Sequence, residues 1–276
     1  MNYFQNKVVL VTGAAGSIGS ELCRIIAKHK PNKLVALDQD ESGLYELASQ
    51  VDICPEIANI RVKDDIRQAF EKHSPEFVIH AAAYKHVPLM EENITQAIKT
   101  NILGTMNVVD VVKEYNIKKM VFISTDKAVY PESVMGYTKK LGELICLNAG
   151  FSVVRFGNVL ASRGSVIPIW LKQIERGDTL TITHPEMKRY FMTIDKACRL
   201  VLEAVKQSEG GEIFILDMGE QLKIEEVADM IIKKCGKKVE KKVIGVRPGE
   251  KFEEVLMTEE EKKRAEKIGE LYKIKL

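Results

Sequence analysis

The first stretch able to do chemistry is Thr12-Gly13-Ala14-Ala15-Gly16-Ser17-Ile18-Gly19, with a glycine at every third position. Gly13 permits a tight turn, Gly16 lets backbone amides close on a pyrophosphate, and Gly19 lets a helix pack closely behind them. Ala15, Ser17 and Ile18 fill the positions between, and the amides of a helix starting there would face the anion. Such glycines can also serve only to turn a chain. The strand-like run before them and the helical pattern after them favour phosphate. Asp38, at the end of the next strand-like run, suits the hydroxyls of an adenosine ribose and would repel a 2′-phosphate. The pattern therefore points to NAD rather than NADP, although Asp38 could also cap the following helix. Asp65 and Ile66 stand where an adenine edge could be held. Further along, Asp126 and Lys127 place a carboxyl beside an amine. That pairing suits proton transfer at a strand's C-terminal end, and it equally suits a surface ion pair.

These residues need elements to hold them, and the chain supplies an alternating series. Lys7–Thr12, Lys33–Asp38, Asn59–Val62, Pro75–His80, Lys119–Ser124 and Ser152–Phe156 read as strands. The first is β-branched without polar alternation, as expected of a parallel strand buried on both faces. Helical spacing marks Ser17–His29, Leu44–Val51, roughly Ile94–Tyr115, and Gly136–Asn148. This rhythm predicts an α/β fold with a doubly wound parallel sheet, the Rossmann arrangement, over residues 1–158. Residues 159–276 read as a mixed segment, mainly a smaller substrate-binding lobe, with some elements returning to the main sheet. Helices are expected at Asp195–Lys206 and Ile224–Cys235, and the charge run Glu259–Lys267 reads as a solvated terminal helix.

Composition narrows the function classes. A formal net charge of +2, with acids and bases interspersed, implies no basic face and no nucleic-acid partner. Five scattered cysteines with no C-x-x-C argue against a disulfide framework, and neither they nor the histidines show metal-ligand spacing. No metal site is expected. The sequence shows no signal peptide and no apolar run long enough to span a bilayer, so a cytoplasmic protein without a membrane segment is expected.

The glycine loop, Asp38, His80-Ala81-Ala82-Ala83 and Asn101 together resemble the extended short-chain dehydrogenase/reductases. More specific stretches are Ala81–Asn93, Ser124–Glu143, Arg155–Pro168, Lys188–Thr193 and Arg247–Lys251. They closely resemble the UDP-N-acetylglucosamine 4,6-dehydratases of polysaccharide and glycan biosynthesis, over about Val8–Met257. Many such enzymes carry an N-terminal membrane region, and this chain resembles their catalytic domain alone. The superfamily's Tyr-x-x-x-Lys pair is altered: Lys139 is the lysine, but Met135 occupies the tyrosine position and cannot exchange protons. The membrane-associated dehydratase branch shares that methionine.

The resemblance implies NAD as cofactor, with Ala81, Ala82 and Ala83 lining it and Lys139 holding the nicotinamide ribose. It implies a UDP-sugar substrate and a homo-oligomer, dimer or higher. In the implied reaction, hydride leaves C4, water is eliminated across C5 and C6, and hydride returns to C6. Asp126 would act as the acid at the C6 oxygen, and Lys127 as the base at C5 with its pKa lowered. Thr125 would bond the C4 oxygen. Lys85, Asn158, Arg189 and Arg247 are candidate substrate contacts, with Ser165 and Glu250 as weaker ones, and His86 reads as a polar loop residue. Two rivals remain at this point. A UDP-sugar 4-epimerase shares the redox step, though Met135 counts against it. A non-catalytic NAD-binding protein is favoured by Met135 and opposed by the intact Thr125-Asp126-Lys127.

Overall fold

The computed structural model describes residues 3–275. Numbering only the strands of its main sheet, these are β1 (Val8–Thr12), β2 (Lys33–Asp38), β3 (Cys54–Ile57), β4 (Phe77–His80), β5 (Lys119–Ile123), β6 (Ser152–Arg155), β7 (Glu212–Leu216), β8 (Glu266–Ile268) and β9 (Leu271–Lys275). The spatial order is β8-β9-β7-β6-β5-β4-β1-β2-β3. Strands β3 through β7 in that order pair in parallel, and β9 and β8 close the edge antiparallel. Val9, Leu10 and Val11 are fully buried because helices cover both faces of the sheet. One face packs Leu22, Ile26, Val201 and Val205, and the other packs Phe70, Val108 and Val112. This is the doubly wound parallel α/β sheet expected.

Three elements differ from expectation, each for a local reason. The third strand is Cys54–Ile57, not Asn59–Val62. Pro55 is tolerated within it because β3 is the sheet edge, where a missing N–H leaves no ladder bond unmade. The segment after it turns instead, with Val62 N donating to Asn59 O at 2.8 Å. The long helix is not uniform: Ile94–Ala97 runs into a π-helical stretch, Ile98–Gly104, and then into Thr105–Glu114. The wide turn seats Asn101, which bonds both backbone groups of Tyr84 (2.8 and 2.9 Å) and the Thr138 hydroxyl (3.0 Å). Finally, the terminal charge run is not a solvated helix throughout. The helix covers only Glu259–Arg264, Glu261 is buried, and the chain then enters β8.

A separate small core holds the second lobe together. Trp170, Ile174 and Ile167 of helix Val166–Arg176 pack on Leu180, Ile182, Ile224 and Val227. Trp170 is fully buried, and its Nε1 donates to Thr181 O at 2.7 Å, so its one polar atom is satisfied. Short strand pairs tie the lobe's loops together: Asn158–Val159 with Phe191–Met192, and Lys188–Arg189 with Leu222–Lys223. No helix among the described residues is long and apolar enough to cross a membrane.

Candidate active site

Two contiguous cavities open at the C-terminal ends of the parallel strands, sharing Ala81 and Ala83 as a common wall. The smaller is floored by the glycine loop. Gly13 has φ +69°, and a Cβ there would come within 2.6 Å of Ala82 N, so only glycine fits between β1 and the β4 loop. A Cβ on Gly19 would strike the Gly13 carbonyl. Gly16 is the N-cap of helix Ser17–Ala27 and supplies no side-chain acceptor, which leaves the helix's first amides to an outside anion. Asp38 stands across the groove. Its Oδ2 accepts from Ala15 N at 3.0 Å and its Oδ1 from Asp40 N at 3.1 Å, so the carboxylate is oriented before any ribose arrives.

Around this groove some expected residues are in place and some are not. Gly13, Ala15, Gly16, Asp38 and Ala82 line it; Ile18 faces the larger cavity. Ser17 Oγ accepts from Arg163 N at 2.8 Å. Asp65 and Ile66 do not line the groove. Ile66 is fully buried in the core, and Asp65 Oδ2 accepts from Asn59 N at 3.2 Å. The difference follows from the misplaced third strand: Asn59 and Ile60, just after the true β3, line the groove instead. Arg163, which sequence reasoning passed over, reaches the groove from the second lobe, 3.3 Å from Asp40.

The larger cavity, about 380 Å³, lies between the sheet and the second lobe. Thr125, Lys127, Met135 and Lys139 form its sheet-side wall, with Lys85, Asn158, Ser165, Arg189, Arg247 and Glu250 around it. The turn after β5 is built locally. Thr125 Oγ1 donates to Asp126 Oδ1 at 2.9 Å, and Lys127 N donates back to Thr125 Oγ1 at 3.4 Å. Asp126 is fully buried and stands behind the wall. Its Oδ1 takes Lys127 Nζ at 3.0 Å, while its Oδ2 has no partner. Lys127 Nζ also donates to Asn158 Oδ1 at 3.2 Å and lies 3.6 Å from Glu254 Oε1.

The electrostatics reverse one expectation. Burial pushes the Lys127 ammonium down, but Asp126 and Glu254 outweigh it and set its pKa above the ordinary lysine value. Lys127 is thus held charged rather than primed as a base. Of Lys127 and Lys139, it is Lys139 whose pKa is lowered: burial, against the opposing pull of Cys146 and Glu143, brings it to about 8. Its Nζ donates to Ile123 O at 2.6 Å and sits 3.8 Å over the Phe122 ring. Met135, one helical turn before Lys139, is buried against Val87, Met90 and Ala97 and presents no proton-bearing atom.

The remaining contacts are uneven. Ser165 Oγ and Glu250 Oε2 are buried, face the cavity and lack partners, as groups awaiting a polar ligand would. Arg247 is exposed at the rim. Arg189 is committed inside the protein, donating to the carbonyls of Lys188, Lys251 and Phe252 at 2.7 to 3.1 Å. Lys85 Nζ lies 3.4 Å from Ser162 Oγ, and burial, then Arg163, lowers its pKa. His86 packs against Gly164 as a loop residue. Sequence reasoning also missed Glu254, which sits in an irregular segment where no periodicity marks a buried carboxylate. Among the described residues, no group of three acidic, histidine or cysteine side chains could hold a metal.

Comparison with known proteins places this geometry. Residues 9–276 match the family described as "Polysaccharide biosynthesis protein". The capsular polysaccharide biosynthesis protein CapD of Staphylococcus aureus is 48% identical, over 93% of this chain and 46% of that one. This chain thus spans about half the length of the first curated relatives it matches. A UDP-N-acetylglucosamine 4,6-dehydratase (inverting) of Campylobacter jejuni is 35% identical, over 94% of this chain and 79% of that protein. A UDP-glucose 4-epimerase of Rickettsia canadensis is 34% identical, over 98% and 83%. Among solved structures, Pen from Bacillus thuringiensis superposes with a TM-score of 0.94 at 34% identity, covering 99% of this chain and 87% of that one.

Proposed function

The chain belongs to the polysaccharide biosynthesis protein family, and from that premise we propose that it is an NAD-dependent nucleotide-sugar 4,6-dehydratase. The substrate is a UDP-sugar, with UDP-N-acetylglucosamine as the first candidate. One observation carries the reading. The sheet-side wall of the larger cavity presents Lys127, backed by Asp126, and has Met135 where a hydroxyl would be needed for redox chemistry alone.

The groove fits a dinucleotide. The uncapped helix start and the glycine floor suit a pyrophosphate, and the oriented Asp38 carboxylate suits the adenosine ribose of NAD over that of NADP. Bound NAD would supply the oxidant at C4 and then the reductant at C6. The protein's own share is proton handling and positioning. Lys127 is the group that reaches the sugar, and Asp126 stands behind it, one carboxylate oxygen on the Lys127 ammonium and the other unpartnered. The Lys127 ammonium gives its proton to the departing C6 oxygen, and the amine it becomes takes the proton leaving C5. The C4 hydroxyl proton and the C5 proton leave, one proton departs on the C6 oxygen as water, and one returns to C5 as hydride reaches C6, so that C4 becomes a ketone and C6 a methyl group. Lys139 holds the ribose beside the nicotinamide, Thr125 meets the C4 oxygen, and Ser165, Glu250, Arg247 and Lys85 bind the nucleotide and its phosphates. Arg189 acts indirectly, by fixing the loop that carries Glu250. The exposed Leu103, Met106, Tyr137, Leu141 and Leu144 on neighbouring helices suit contact with a second copy of the chain.

Incubating the purified protein with NAD and UDP-N-acetylglucosamine should yield a UDP-sugar lighter by one water. An unchanged mass with an inverted sugar centre identifies the 4-epimerase instead, a reading favoured by the Rickettsia relative. Lys127→Ala should slow dehydration by about 10²–10⁴-fold, the usual share of a positioned acid–base group. Undiminished turnover by that variant rules out the assignment.

A further inference from the structure

Glu254 is a carboxylate in a place where carboxylates are costly. It is 2% exposed, on the irregular segment that follows Arg247–Lys251. A buried charge persists only with partners, and this one has two. Its Oε1 lies 3.6 Å from Lys127 Nζ, and its Oε2 lies 3.0 Å from Lys251 Nζ. Lys251 is itself anchored, donating to the carbonyls of Val129 and Tyr130 just beyond the Asp126–Lys127 turn. Arg189 holds the same segment through the Lys251 and Phe252 carbonyls. Gly249, with φ +76°, lets it press on Ser133 and Glu91 at the start of the helix bearing Met135 and Lys139.

We propose that Glu254 is a positioning residue for the proton-transfer pair: together with Asp126 it holds the Lys127 ammonium at the cavity wall. The proposal deepens the dehydratase reading and rests on it for its catalytic consequence. The charged groups facing Lys127 are Asp126 from its own turn, Glu254 from the C-terminal segment, and Arg189 from the second lobe. Two anions and one cation surround it, so the ammonium is favoured. Removing one anion leaves Asp126 opposed by Arg189 and by burial. Lys127 then loses its proton at lower pH, and its amine is no longer fixed between two carboxylates. The segment also carries Glu250, which lines the sugar cavity, so nucleotide binding and Lys127 placement share one piece of backbone.

Two readouts test this on the full chain, one of them independent of turnover. The first is the pH dependence of Lys127 acetylation by acetic anhydride, followed by peptide mass spectrometry. Glu254→Gln should move its midpoint down by about one pH unit, a tenfold change in proton affinity. Glu254→Asp, which keeps the charge, should move it less. The second is the pH profile of dehydration. Glu254→Gln should lower kcat by roughly 10-fold with KM little changed, and should shift the alkaline limb the same way as the labelling midpoint. A Lys127 midpoint unmoved in Glu254→Gln overturns the proposal, as does a loss expressed only in KM. If Glu254→Gln does not fold, Glu254→Asp alone decides, with an unmoved midpoint and unmoved kcat counting against. A moved midpoint in a protein that dehydrates no UDP-sugar refutes the functional reading and leaves the Glu254–Lys127 coupling standing.

Discussion

The glycine loop and the segment from Arg247 to Glu261 both wall the active site, and they are built on opposite principles. The loop is local and neutral. It works by removing side chains, so that the backbone itself meets the Ala82 region and an outside anion. The late segment is distant and charged. It works by sending carboxylates inward, Glu254 to Lys127 and Glu261 to Arg155. Arg155 is fully buried, and its guanidinium is bound by Glu143 at 2.6 and 2.7 Å and by Glu261 at 2.8 and 2.9 Å. Glu143 also accepts from Ser124 Oγ, and it lies on the helix that carries Met135 and Lys139. A neutral loop can be changed with losses confined to its ligand. A buried ionic cluster cannot be opened without stranding charge.

The largest effect should therefore come from Arg155→Leu. It takes the guanidinium from two buried carboxylates, leaving Glu143 only the more distant Lys140 ammonium at 3.5 Å, and should cost about 3–5 kcal/mol in urea unfolding. A loss under about 1 kcal/mol would remove the contrast between the two regions. Gly19→Ala should act the other way. The added methyl meets the Gly13 carbonyl, and NAD affinity measured by titration calorimetry should fall about 100-fold, or roughly 3 kcal/mol. The Lys127 labelling midpoint should stay unchanged in that variant; if it moved, the regions would be coupled. The smallest effect concerns Lys139. Its folded pKa of about 8 lies below the ordinary 10.5. Below about pH 8 both folded and unfolded chains keep the proton, and the cost of burying the ammonium is fully present. Between about pH 8 and 10.5 only the folded chain releases it, so this group's contribution to stability rises with pH, by of the order of 2 kcal/mol. Lys139→Met should flatten that rise relative to wild type in paired urea titrations across that window.

The same contrast explains what could be read in the chain. Runs such as Val8–Thr12 and the glycine spacing encode structure within a dozen residues, so the parallel sheet and the phosphate loop were legible. Asp126 and Lys127 were legible as a pair, but not their protonation, because that depends on a carboxylate more than a hundred residues away. The third strand was misplaced because Cys54–Ile57 is a four-residue edge strand holding a proline, which an edge tolerates and a central strand does not. That one slip put Asp65 and Ile66 in the place along the groove that Asn59 and Ile60 hold. Glu261 misled in the opposite direction: within a run of charges nothing marks the one that turns inward.

The placement of β9 beside β7 has a consequence for how the protein is made. A ribosome releases β1 through β7 before residues 271–275 exist, so the nascent sheet has β7 as an open edge with unpaired backbone groups, a template for wrong partners. Arg155, meanwhile, has Glu143 but not yet Glu261. The strand that covers β7 thus emerges after the carboxylate that completes the buried cluster. A stalled or clipped chain ending before Glu261 would be sticky and electrically unfinished at once, and cellular quality control could recognise it by both marks.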